Sequence, residues 1–110
     1  MQNAEEMNRM PQCERLDICE RATTKYGVTH QSVKALEELA ELAKVVAKVV
    51  NNDFESIADR AAAIDHMAEE VADVQIMLWQ LICCYDLSVE DMIDYKLKRL
   101  ENRMNGFDDN

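Results

Sequence analysis

Between Val33 and Val50 the apolar residues Val33, Leu36, Ala40, Ala43, Ala47 and Val50 recur at spacings of three and four. That period belongs to one face of an amphipathic helix. It predicts a helix from about His30 to Val50, with Thr29 as its N-cap. Leu39, Leu42, Val46 and Val49 widen the apolar face, and Lys34, Glu37, Glu38, Glu41, Lys44 and Lys48 fill the rest. Asn51-Asn52-Asp53 is the clearest loop. A long helical segment follows from about Phe54 to Cys84, with a break expected near Arg60–Asp65. From Val71 it is apolar almost all round, which predicts burial on most sides.

An earlier helical segment falls between Asn3 and Lys25. Pro11 marks its start or a kink, and Tyr26-Gly27 its stop. After a turn at Asp86-Leu87, Ser88 and Asp91 have capping-box spacing. The last helix then runs to about Met104, where Asn105-Gly106 ends it and a frayed tail follows. No segment repeats another. The pattern therefore predicts one all-α domain over residues 1–110, a bundle of four main helices.

Composition supports this reading. Two glycines and one proline leave little turn chemistry, and 48% hydrophobic residues fit a folded chain. The length of 110 residues suits one domain, and a domain this small gains from a partner subunit. The formal net charge of -10 argues against a nucleic-acid binder, which needs clustered Lys and Arg. No basic-then-apolar leader stands at the N-terminus, and Val71–Tyr85 is too short and polar to span a membrane. The expectation is a cytosolic, soluble protein. Cys13, Cys19, Cys83 and Cys84 form no C-x-x-C pair, and His30 and His66 have no partner at zinc-finger spacing. The cysteines read as reduced thiols acting as small core residues.

The charge pattern raises a question of chemistry. ALEELAEL, residues 35–42, places Glu37, Glu38 and Glu41 within one turn and a half. Like charges three or four apart on a helix repel by about 0.2–0.5 kcal/mol per pair. Glu38 and Glu41 stand at i, i+3, and so do Glu70 and Asp73 on the next helix. Residues three apart share a helix face. On antiparallel neighbours the two pairs would set four carboxylates around one point, which suits a hard divalent cation. Mg²⁺ takes a few carboxylates, keeps several waters and completes its shell with substrate phosphates. The plain alternative is a solvated acidic face, screened by Lys34, Lys44 and Lys48. Asp73 resists that alternative, because its apolar surroundings predict a buried carboxylate in need of a partner. Glu69 reads as a surface acid.

EELAEL followed by EEVADV, with 28 residues between Glu41 and Glu70, resembles the ExxE…ExxD signature of the all-α nucleoside triphosphate pyrophosphohydrolases, the MazG-like superfamily. The resemblance covers about Val33 to Arg103. It implies that Glu38, Glu41, Glu70 and Asp73 bind Mg²⁺, with Mn²⁺ as a substitute. It also implies hydrolysis of a nucleoside triphosphate to the monophosphate and pyrophosphate, on deoxynucleotides in pool control or sanitation. Glu38 then serves catalysis as well as the metal. Glu37 acts as a base or holds the attacking water, a surface role being the alternative. The family is oligomeric, which implies a homodimer or homotetramer.

On the last helix Lys96, Arg99 and Arg103 share a face opposite Ile93, Leu97, Leu100 and Met104. They read either as phosphate contacts or as a basic last turn complementing the helix dipole. Family members often carry basic residues here, which favours the first reading. Trp79, Tyr85, Tyr95 and Phe54 are each able to stack on a nucleobase, with core packing as the alternative for each. His30 reads as exposed and passive.

Three other readings compete. Phosphoribosyl-ATP pyrophosphatase suits Lys34 before Glu37-Glu38, but ADVQIMLWQL lacks the Tyr-His pair that usually follows the Asp in that branch. A di-iron carboxylate bundle needs Glu-x-x-His motifs, and Glu41 and Asp73 stand where the histidines belong. A non-enzymatic helical interaction module would use the apolar third helix as an assembly face, with the acids as its rim.

Overall fold

The computed structural model describes residues 8–106. Four helices account for most of them: α1 (Gln12–Tyr26), α2 (Val28–Asn51), α3 (Ile57–Tyr85) and α4 (Glu90–Met104). Among the described residues there is no strand, so the all-α expectation holds. The tail expected to fray lies outside the described residues beyond Gly106, as does the chain before Asn8.

Each boundary has a local cause. Pro11 caps α1 and starts it rather than kinking it. Gly27, at φ 89°, is the single residue between α1 and α2. Glycine adopts that backbone without the steric cost a side chain brings. The N-cap of α2 is therefore Gly27, and Thr29, expected as the cap, lies inside the first turn. Asn52 ends α2 in the left-handed conformation, and Asp86 ends α3 in the same way. Ser56 caps α3, its hydroxyl accepting the Asp59 amide at 3.1 Å. The helix then runs unbroken for 29 residues, so the break expected near Arg60–Asp65 is absent. Arg60 and Ala61-Ala62-Ala63 are good helix formers, and no glycine or proline interrupts them. The box expected at Ser88 and Asp91 does not form, since Val89 is the N-cap of α4 and no side chain caps it.

Helices α1, α2 and α3 pack on one another. Gln31 meets Gln80, Ser32 meets Tyr85, and Glu38 stands beside Glu70 and Asp73, so α2 and α3 are antiparallel. Cys19 reaches the Ile76 carbonyl and Cys84 reaches Thr23, so α1 runs parallel to α3. The seam on α2 is Gln31, Ala35, Glu38, Leu42, Val45 and Val49, all buried or half-buried. This is not the expected stripe: Leu36 is 66% exposed and Val50 75%. Helix α2 thus has two apolar stripes, and the chain uses only one of them. Likewise Val71, Ile76 and Leu78 are exposed, so α3 is buried on one side rather than most sides. Of the cysteines only Cys19 is buried, Cys84 is half-buried, and all four are free thiols.

Helix α4 packs on none of the other three. Its apolar residues Ile93, Leu97, Leu100 and Met104 are all exposed. The radius of gyration is 17.7 Å, against about 13 Å for a closed domain of this length. The buried apolar core of the described residues is Cys19, Ala35, Val45, Val74 and Met77. No helix among these residues is long and apolar enough to cross a membrane.

Candidate metal centre

Helices α2 and α3 bring three carboxylates together at the middle of their seam. Glu38, Glu70 and Asp73 each offer an oxygen, and these lie within 4.8 Å of one another. The antiparallel packing explains the meeting. Glu38 belongs to the α2 seam, and Glu70 begins the α3 run Glu70, Val74, Met77, whose 4-3 spacing faces it. Glu41, the fourth expected ligand, is exposed and is not part of this cluster. From Glu38 the α2 seam steps by four to Leu42, which leaves Glu41 one residue, about 100° of rotation, to the side of it.

Acids clustered on a surface are ordinary. Glu70 is what sets this cluster apart, since it is only 9% exposed. Its Oε2 is buried and has no hydrogen-bond partner. A carboxylate oxygen in that position carries a desolvation cost that no hydrogen bond of its own offsets. A cation at the cluster would supply the missing partner, and a set of carboxylate oxygens suits a hard divalent ion. The residues therefore fit the metal their sequence pattern implies. The buried acid differs from the expected one: Asp73 is exposed, and Glu70 takes the inner place. Of the apolar residues in the run that surrounds Asp73 in sequence, only Val74 and Met77 are buried, and Val71, Ile76 and Leu78 are exposed like Asp73 itself.

Two basic groups border the cluster. Lys34 Nζ stands 3.2 Å from Glu38 Oε1 and 3.8 Å from Glu37 Oε2. The hydrogen bond to Glu38 and its charge push the Lys34 pKa up, with smaller contributions from Glu37 and Asp73. Lys34 thus serves as a tethered cation beside the acids. Glu37 is exposed, turned to Lys34 and outside the cluster. On the other side His66 Nε2 lies 3.5 Å from Glu70 Oε1, and its Nδ1 lies 3.4 Å from Glu69. His66 carries charge there only when protonated. Its spacing of four before Glu70 was the available signal for this contact.

Helix α4 gathers Lys96, Arg99 and Arg103 around a shallow hollow of about 220 Å³. It packs against neither α2 nor α3, the helices that carry the acids. The Arg99 guanidinium lies 5.9 Å from the centre of the Tyr95 ring. Of the four aromatic candidates, Tyr85 bonds to Ser32 at 2.7 Å. Trp79 lines a 510 Å³ groove between α1 and α3, and Phe54 lines a separate pocket beside α2. His30 is exposed as expected, but it stacks on Tyr26 and lies 2.6 Å from Gln31 Oε1.

No protein-family model matches the sequence, and the curated proteins and the solved structures yield no match.

Proposed function

We propose that this chain is a Mg²⁺-dependent nucleoside triphosphate pyrophosphohydrolase of the MazG-like type, releasing a nucleoside monophosphate and pyrophosphate. The observation that carries the reading is the buried, unpartnered Glu70 Oε2 within a cluster of three carboxylates. Glu38, Glu70 and Asp73 would hold the ion, with Glu41 one turn along α2 from Glu38 as a further acid. Bound Mg²⁺ would neutralise phosphate oxygens and make a water acidic enough to attack phosphorus at neutral pH. The roles of the chain's own residues follow from position. Glu38 is both ligand and acceptor at the seam. Glu37, exposed at its edge, can take a proton from the attacking water. Lys96, Arg99 and Arg103 offer donors for phosphoryl oxygens as charge builds there.

Those basic residues need a second copy of the chain. A 15-residue helix is marginal alone, and α4 leaves its apolar side bare. The outer stripe of α2, with Val33, Leu36 and Val50, is equally bare. We propose that a second copy covers these stripes and that the assembly, a homodimer or a dimer of dimers, supplies the phosphate contacts. The same bare surfaces favour the second reading, a helical interaction module without activity. Pyrophosphate release separates the two. A panel of standard and modified nucleoside triphosphates, with phosphoribosyl-ATP included, is assayed with Mg²⁺ and with EDTA. Metal-dependent release from one or a few substrates supports the enzyme, and release from phosphoribosyl-ATP alone assigns it to histidine biosynthesis. Release from none, at high enzyme concentration, supports the interaction module.

A further inference from the structure

We infer that the pocket at the loop joining α2 to α3 is the seat of the substrate's nucleobase, and that it takes a base carrying an exocyclic amino group. This rests on the proposed hydrolase function and names the substrate class of that site. A nucleotide held by its phosphates at the acid cluster has two directions along the α2–α3 seam in which to lay its base. One direction is closed. Seven residues before Glu38 and seven after Asp73 stand Gln31 and Gln80, 6% and 5% exposed, with Gln31 Nε2 donating to Gln80 Oε1 at 2.6 Å. The other direction is open. Seven residues after Glu38 and seven before Glu70 stand Val45 and Ala63, which line a pocket of about 410 Å³. At 1.5 Å per residue both places lie about 10 Å from the acids. An extended nucleotide covers such a span between its outer phosphates and its base.

The open pocket has the parts a base needs. Phe54, half-buried, lines it with Val45 and Ala63, and an aromatic face stacks on any base. Lys48 Nζ stands 5.8 Å from the centre of the Phe54 ring and brings a donor to the rim. His66 lines the same pocket and touches Glu70, so pocket and acid cluster adjoin. The loop bearing Phe54 is held at both ends. Asn52 accepts from Arg60 Nε at 3.3 Å, and Ser56 accepts the Asp59 amide at 3.1 Å.

The rim decides the class of base. Asp53, Glu55 and Asp59 line the pocket beside the single Lys48. Ionised carboxylates only accept hydrogen bonds. They match the two-hydrogen amino group of cytosine, adenine or guanine, whereas uracil and thymine offer a single N3–H donor flanked on both sides by carbonyl oxygens that carboxylates repel.

The test compares steady-state hydrolysis of dCTP, dATP, dGTP, dTTP and dUTP by the wild type, Phe54→Ala and Phe54→Trp. Mn²⁺ binding by electron paramagnetic resonance checks that each variant keeps its acid cluster. The wild type is expected to prefer one or more amino-bearing bases. Phe54→Ala is expected to raise KM about tenfold or more with kcat within about twofold, the mark of lost substrate binding. Phe54→Trp is expected to restore KM. An unchanged KM in Phe54→Ala overturns the seat while leaving the hydrolase reading intact. A wild-type preference for dTTP or dUTP overturns the assigned class. A wild type that hydrolyses none of them removes the function on which the seat depends.

Discussion

Lys34 Nζ stands 3.2 Å from Glu38 Oε1, one helical turn along α2, at the edge of the cluster that Glu38 forms with Glu70 and Asp73. An ammonium so placed does in part what a metal ion would do there. It lowers the repulsion among the acids, and it would compete with a divalent cation for Glu38. Lys34→Met removes the competitor and leaves the carboxylates. Mn²⁺ binding, followed by electron paramagnetic resonance, should tighten about two- to fivefold, the scale of an exposed ion pair. Weaker binding in the variant would mean that Lys34 orients Glu38 for the metal instead of opposing it.

Glu70→Gln separates the metal role of this acid from its structural one. In EDTA the variant should be more stable than the wild type by about 1 kcal/mol. It removes a buried charge and gives Glu38 or Asp73 an amide donor. With Mg²⁺ the order should reverse, because only the wild type gains stability by binding the ion. Urea unfolding with and without Mg²⁺ measures both. A variant less stable than the wild type in EDTA would show that the Glu70 charge is satisfied without a metal.

The bare side of α4 makes a prediction about assembly. The wild type should sediment as a dimer or larger at micromolar concentration. Leu97→Asp combined with Leu100→Asp should yield a smaller species whose helical circular dichroism falls by about the share of α4, since a lone helix of that length is marginal. A wild type that sediments as a monomer with α4 fully helical would remove the case for a second copy.

Gln31 and Gln80 form a buried amide pair that only structure reveals. Gln80→Leu strands the Gln31 Nε2 donor in the core and should cost about 1–3 kcal/mol. The double variant Gln31→Leu/Gln80→Leu should recover most of that loss. Denaturant midpoints decide it, and equal losses in the single and double variants would mean that the pair contributes little.

How far the sequence carried depended on what each signal measures. Apolar periodicity and the i, i+3 pairs Glu38/Glu41 and Glu70/Asp73 placed the acids on two helices, and antiparallel packing brought Glu38, Glu70 and Asp73 together. Periodicity could not choose between the two apolar stripes of α2, because both have the same spacing and only one meets α3. That ambiguity hid Gln31, Ala35 and Val45 as seam residues. Local composition misplaced the buried acid. Asp73 sits among apolar neighbours in sequence, yet Glu70, preceded by Ala68 and Glu69, is the one that points inward. Cap signals failed where backbone decided the matter: Gly27 at φ 89° ends one helix and opens the next, so Thr29 had no cap to make. Nothing in the pattern showed that α4 would stand apart from the other helices.

The most direct test of the metal centre is a Mn²⁺ titration of the wild type beside Glu70→Gln and Glu41→Gln, followed by electron paramagnetic resonance. Saturable binding is expected in the wild type, with its loss in Glu70→Gln and a smaller effect in Glu41→Gln, whose carboxylate lies outside the cluster. Equal Mn²⁺ binding by the wild type and Glu70→Gln would contradict this metal centre, because the buried oxygen on which the reading depends would then play no part in holding the ion.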